Sequence, residues 1–327
     1  MTVFDNIPDL PRQLDAVNDR LQSLAADKLF RQPLSDILTQ VFAAPGKQLR
    51  PAMLLLFGRI GPDYPACEER LVQAAAVVEL THMASLIHDD IVDDSPLRRG
   101  RPTIQSAYGK DMAVYAGDYL LSCVLSAVTQ PDMLGVGGIL SRAMSDMCSG
   151  EMSQYQIRFD TSVDENRYFM NISGKTAALF SAACEIGAFA AGSSLYANSI
   201  AGRFGHSLGI LFQLRDDLLD CMPENAEALK KHGMDFINGI YTLPVIYSFS
   251  DPAHGPALRK LAASAADLMP ESVASELLAH ITAAGGIDYT RWIMKQYHER
   301  ALHTLSQLQG ANIRDELSAL LDELSAG

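Results

Sequence analysis

Residues 66–93 read ACEERLVQAAAVVELTHMASLIHDDIVD, an almost unbroken apolar run that ends in the acid cluster Asp89-Asp90-Ile91-Val92-Asp93. Residues 195–220, LYANSIAGRFGHSLGILFQLRDDLLD, do the same and end in Asp216-Asp217-Leu218-Leu219-Asp220, about 127 positions later. Both stretches lack the alternation of a strand and are apolar nearly all round, as buried helices are. On a helix, residues i and i+4 share a face with i+1 beside them, so each cluster turns three carboxylates toward one spot. Like charges at that spacing destabilise a helix unless a cation neutralises them. Six carboxylates on two apolar helices therefore point to hard divalent cations, with a phosphate-bearing substrate beside them. A calcium hand is excluded, because counting from Asp89 the sixth position is Asp94 instead of Gly and the twelfth is Gly100 instead of Glu.

The same helical periodicity extends over most of the chain. Helices are predicted at about 10–30, 34–43, 48–59, 66–93, 111–129, 132–159, 163–173, 175–191, 195–220, 224–231, 234–249, 255–267, 271–283, 288–308 and 312–325. The fold class is all-α, a bundle of about 13 to 15 helices, with residues 66–93 and 195–220 as the expected central pair. Pro96, Gly100 and Pro102 forbid regular helix after the first acid cluster. Ser162-Val163-Asp164-Glu165 has the pattern of a capping box opening a helix that lines up Tyr168, Ile172 and Lys175. Small residues, among them Ala74, Gly117, Ala182 and Gly187, predict close helix packing.

With 327 residues, 48% of them apolar, and no low-complexity linker, one large domain over 1–327 is expected. The 26 basic residues against 39 acidic ones, a net charge of -13, argue against a nucleic-acid partner. Cys67, Cys123, Cys148, Cys184 and Cys221 are scattered and odd in number, the pattern of reduced thiols in a cytoplasmic protein. The N-terminus has no positively charged leader and every long apolar run is interrupted, so no membrane span is expected.

Beneath Asp89 the expected helix face is narrow: Ser85 and Ala84, then His82 and Thr81, then Val78. From Asp89 to Ala74 it runs roughly 22 Å at 1.5 Å per residue, deep enough for a long apolar pocket. Basic residues punctuate the apolar sequence at Lys47, Arg50, Arg98, Arg99, Lys175 and Lys230. Arg forks and Lys point charges are what diphosphate oxygens need, and with a divalent cation they would stabilise diphosphate as a leaving group.

Taken in order, Gly46-Lys47-Gln48-Leu49-Arg50-Pro51, the run from Glu79 to Arg99, Gly174-Lys175-Thr176-Ala177, Phe212-Gln213-Leu214-Arg215-Asp216-Asp217 and Thr242-Leu243-Pro244 resemble the trans-polyprenyl diphosphate synthases over about residues 40–250. The resemblance implies an all-α homodimer that adds isopentenyl diphosphate head to tail onto an allylic diphosphate (geranyl, farnesyl or geranylgeranyl). The allylic diphosphate ionises, the isopentenyl double bond attacks the cation, and a proton is lost to the released diphosphate, with no protein nucleophile. It further implies that Asp89, Asp93 and Asp216, helped by Asp90, Asp217 and Asp220, hold three Mg²⁺. Lys47, Arg50, His82 and Arg99 would grip isopentenyl diphosphate, while Arg98, Lys175, Thr176, Gln213 and Lys230 would serve the allylic substrate. In the family, a bulky aromatic four or five residues before the first Asp ends growth early. Those positions are Ser85 and Ala84, so a product of twenty carbons or more is expected.

One departure is Ile240, where the family carries a lysine facing the allylic diphosphate, which leaves open a weakly active or non-catalytic subunit of a hetero-oligomeric synthase. Two other enzymes fit less well. A His-Asp phosphohydrolase would leave the second acid cluster unexplained, and a terpene cyclase has no use for Lys47, Arg50 and His82.

Overall fold

A computed structural model describes all residues except 1–3, 5, 27–31, 44–45, 222–235, 265–270, 309–310 and 326–327. Among the described residues the regular structure is helical apart from one hairpin of two two-residue strands. The chain divides into two compact units, 1–142 with 182–202 and 143–181 with 203–327.

The first unit is built on α4 (Glu68–Val92), which packs against α1 (Leu10–Ala25), α3 (Leu49–Gly58), α5 (Ile104–Tyr108) and α6 (Lys110–Val128). α2 (Leu34–Phe42) lies on α6. Ala74, Ala75, Ala76, Val77, Val78 and Leu80 on α4 are fully enclosed, as a helix apolar all round must be. Each large aliphatic side chain so buried contributes about 1.5–3 kcal/mol. The small residues have the expected purpose: a Cβ on Gly117 would overlap the His88 ring, and one on Gly187 the Leu54 carbonyl. Two helices, α4 and α6, are long and apolar enough to cross a membrane, contrary to the expectation from interrupted apolar runs. The α4 window is 67% buried inside the protein, which marks it as a core helix.

α7 (Leu134–Gln156), α9 (Ala178–Ala190) and α10 (Leu195–Leu219) contribute residues to both units. The second unit adds α8 (Glu165–Ile172), α11 (Leu243–Phe249), α12 (Gly255–Ser264), α13 (Glu271–Ala283), α14 (Gly286–Ser306) and α15 (Ala311–Ser325). α11 packs on α8, α12, α13 and α14.

Several boundaries differ from the sequence expectation. α1 stops at Ala25 because Ala26 is extended (ψ 108°). The helix predicted at 234–249 is interrupted: Phe236 and Ile237 are helical, Gly239 turns the chain at φ 72°, and helix resumes at Leu243, where Pro244, which lacks an N–H, suits a first helical turn. The predicted helix at 224–231 lies outside the described residues. The cap of α8 is Asp164, which accepts the Arg167 N–H at 2.9 Å, whereas Ser162 donates to Asp160. Tyr168 and Ile172 are buried on one face of α8, but Lys175 stands beyond it, in a π turn over Ser173–Ala177. The cysteines carry no disulfide, and all but Cys148 are buried.

Candidate active site

In the first unit, Asp89, Asp90 and Asp93 occupy the last turn and C-cap of α4. No basic residue lies in that turn, although the helix dipole is negative there and disfavours carboxylates by about 0.3–1 kcal/mol each. Asp89 is half-buried, Asp93 exposed and Asp90 buried. The chain beyond α4 explains Asp90. β1 (Leu97–Arg98) and β2 (Arg101–Pro102) form a hairpin whose two turn residues, Arg99 and Gly100, both have positive φ. Such a turn suits the twist of two-residue hairpins. It swings the Arg98 guanidinium back onto Asp90, with Nε and Nη2 both 2.8 Å from Oδ1.

The same hairpin closes a cleft of about 460 Å³ in this unit, lined by Glu79, His82, Met83, Arg98, Arg99 and Arg101 among others. Arg50 Nη1 lies 3.1 Å from His82 Nε2. Arg99 reaches across Gly46, where an added Cβ would come within 3.1 Å of its Nη1, next to the exposed Lys47. Of the residues expected to grip isopentenyl diphosphate, His82 and Arg99 line one hollow, Arg50 contacts His82, and Lys47 follows Gly46, which also lines it. Glu79, not singled out from sequence, lines it too, and burial pushes its carboxyl up against the pull of Arg50 and Arg99.

Burial first, then the charges of Arg50, Arg98 and Arg99, hold His82 well below the usual histidine range. His82 is therefore neutral at pH 7 and accepts at Nε2 from Arg50. A depressed pKa means that the folded state resists a proton the unfolded state takes up. His82 should thus cost stability as pH falls below its ordinary 6.5, by about 1.4 kcal/mol per unit until the folded site itself titrates. Urea unfolding at pH 7 and pH 5 checks this, and His82→Gln should flatten the difference.

In the second unit, Asp216, Asp217 and Asp220 sit at the end of α10, again with no basic residue in the last turn. Asp216 is exposed, Asp220 half-buried and Asp217 buried. Tyr168 of α8 donates to Asp217 Oδ2 at 2.5 Å and Gln213 donates to Oδ1 at 2.8 Å. Burial nevertheless raises Asp217 to about 7, with Asp220 and Asp216 adding to the rise. Gln213 in turn accepts from Thr176 at 2.7 Å. Lys175 meets Glu151 at 3.0 Å. Thr176, Gln213 and Asp217 thus form one hydrogen-bonded chain, while Lys175 is held separately by α7. Lys230 lies outside the described residues. Ile240 follows Gly239 in the turn before α11 and is half-buried.

Among the described residues no three His, Cys, Asp or Glu side chains already converge as a metal site. The donor set still fits a hard divalent cation. Each triplet ties one buried carboxylate to protein partners and leaves two at or near solvent, which suits an ion that keeps several waters and a substrate phosphate in its shell.

Comparison with known proteins agrees with this layout. The polyprenyl synthetase family matches residues 31–277. Heptaprenyl diphosphate synthase component 2 of Geobacillus stearothermophilus is 33% identical over 302 residues, 91% of either chain. A geranylgeranyl pyrophosphate synthase of Lactobacillus brevis superposes with a TM-score of 0.90 at 29% identity, covering 99% of both chains. A polyprenyl synthase of Caulobacter crescentus, solved with calcium and isoprenyl diphosphate, gives 0.85 at 27% identity over 97% of this chain and 95% of its own. Two carboxylate triplets, a cationic cleft beside the first and an all-α frame throughout are accounted for together: the chain belongs to the polyprenyl synthetase family of prenyltransferases.

Proposed function

We propose that this enzyme condenses isopentenyl diphosphate head to tail with an allylic diphosphate, acting as one catalytic domain over residues 1–327, and releases a product of twenty carbons or more. The observation that carries the reading is the pair of acid triplets, each at a helix C-terminus, where the helix dipole disfavours carboxylates. Asp89, Asp93, Asp216 and Asp220 would hold Mg²⁺, three ions in all. Asp90 and Asp217, anchored by Arg98 and by Tyr168 with Gln213, would set the direction of their neighbours. Bound Mg²⁺ supplies positive charge to the diphosphate as it departs.

The chain's own residues do the rest. Lys47, Arg50 and Arg99 bind the isopentenyl diphosphate, and neutral His82 keeps Arg50 oriented toward it. Arg98, Lys175, Thr176 and Gln213 would serve the allylic diphosphate, and Lys230 is assigned to the same substrate by the family resemblance alone. Apolar α4 beneath Asp89 excludes water from the allylic cation, which would otherwise be quenched. The relatives' names span geranylgeranyl and heptaprenyl products, which supports a medium or long chain. Cytoplasmic location and a homodimer belong to the same reading.

A second reading follows from the word "component" in the name of the Geobacillus relative: this chain as one subunit of a hetero-oligomeric synthase. Incubating the purified chain alone with Mg²⁺, isopentenyl diphosphate and farnesyl diphosphate separates the two. Extended products support the first reading, and their absence until a second subunit is added supports the other. Ile240→Lys should lower the KM for the allylic substrate about tenfold, the worth of one regained charged contact; an unchanged KM would show that Ile240 is neutral in this site.

A further inference from the structure

Lys175 is not presented by a regular helix. Between α8 and α9 the chain takes one wider π turn, Ser173–Ala177, a local insertion that rotates the side chains it carries. The turn forms where α7 touches it backbone to backbone. A Cβ on Gly150 would overlap the Lys175 backbone nitrogen, and one on Gly174 would overlap the Asp146 carbonyl and the Gly150 Cα. Only glycine permits that approach. The next residue of α7, Glu151, takes the Lys175 ammonium with its two carboxylate oxygens at 3.0 and 3.1 Å. One turn further, Gln154 accepts from Asn171 at 3.3 Å, tying α7 to the end of α8.

We infer that Glu151 is the positioning residue of Lys175, fixing where its ammonium meets the allylic diphosphate. The inference rests on the proposed role of Lys175. A stabilising role would be a poor explanation of the pair, since its side chains are 27% and 35% exposed and ion pairs at that exposure contribute little. What the carboxylate does supply is direction. A lysine stem otherwise spreads its charge over many rotamers, and an ammonium with three donors can contact a carboxylate and a phosphate oxygen together. The glycine crossing sets the distance between the two backbones, and Glu151 converts that distance into a position for the charge.

The test compares Glu151→Ala, Glu151→Gln, Lys175→Ala and the Ala/Ala double variant by steady-state kinetics with each substrate varied in turn. Glu151→Ala should lower kcat/KM for the allylic diphosphate about tenfold or more and leave the isopentenyl KM within about twofold. Glu151→Gln, which keeps an oxygen to accept from the ammonium, should recover to within about threefold of the parent, and the double variant should be no worse than Lys175→Ala. Equal losses for both substrates, no loss, or a full additive loss in the Lys175→Ala background would overturn the inference. If Lys175→Ala itself changes nothing, the role of Lys175 falls and Glu151 with it, an outcome distinct from a Lys175 effect without a Glu151 effect. Should Glu151→Ala not fold, Glu151→Asp, shorter by one methylene, carries the same comparison.

Discussion

Asp89→Asn is expected to reduce kcat by about 10²–10³. A group that stabilises charge developing in the transition state is worth about 3–4 kcal/mol, hence the loss of rate. The same carboxylate sits one position before Asp90 and four before Asp93, at the negative end of α4 and with no basic residue in that turn. Like-charge repulsion of about 0.3–0.5 kcal/mol and a dipole contact of similar size act on that carboxylate, small terms beside the loss of rate. Asp216→Asn at the end of α10 should behave alike. Asp90→Asn should lower stability as well as activity, because Asp90 is buried and its neutralisation breaks the ion pair with Arg98. Steady-state rates and thermal melts of the three variants, without added metal in the melts, distinguish these patterns. Chain elongation that survives both Asp89→Asn and Asp216→Asn would remove the acid triplets from the mechanism.

What could be read from the sequence was whatever lies within one helix. Apolar periodicity located α4 and α10, and the i, i+1, i+4 spacing of their acids is local by nature. The cationic residues around the first cleft were legible as types, and their gathering depended on the hairpin. That hairpin was hidden because strands of two residues carry no periodicity; only Pro96, Gly100 and Pro102 announced that helix must stop. The start of α11 was missed because an apolar run passes straight through Gly239 and Pro244, and turn chemistry outweighed periodicity there. Ser162 looked like a cap by spacing, but Asp164, two residues on, is where the chain first becomes helical. Glu79 and Glu151 drew no notice because a lone acid in a helix usually faces water. Their significance comes from partners distant in sequence, Arg50 and Arg99 for one and Lys175 for the other. The π turn that carries Lys175 is likewise a product of helix crossing, and no local signal encodes it.

Product length is the property most exposed to a single substitution, and the two positions singled out beneath Asp89 are not equivalent. Ala84 is fully enclosed, with no accessible surface. Ser85 is half-buried, and its hydroxyl is satisfied by the His82 carbonyl of its own helix at 2.9 Å. Phenylalanine at 84 must therefore displace packed neighbours, at a cost of about 1–3 kcal/mol, before it affects a product. At 85 it can extend into accessible space. Ser85 lies one turn below Asp89, about 6 Å along α4, whereas Ala74 lies roughly 22 Å away. An aromatic ring at 85 would thus confine the growing chain to the first turn beneath the diphosphate. Ser85→Phe is expected to shift the main product to about fifteen or twenty carbons, with the early additions proceeding at near-parental rate, since the groups that bind both diphosphates are untouched. Ala84→Phe should instead lose melting temperature, with any shortening accompanied by lower yield of folded enzyme. Radiolabelled isopentenyl diphosphate followed by chromatography of the dephosphorylated products gives the distribution. An unchanged distribution from well-folded Ser85→Phe would mean that this face of α4 does not border the growing chain.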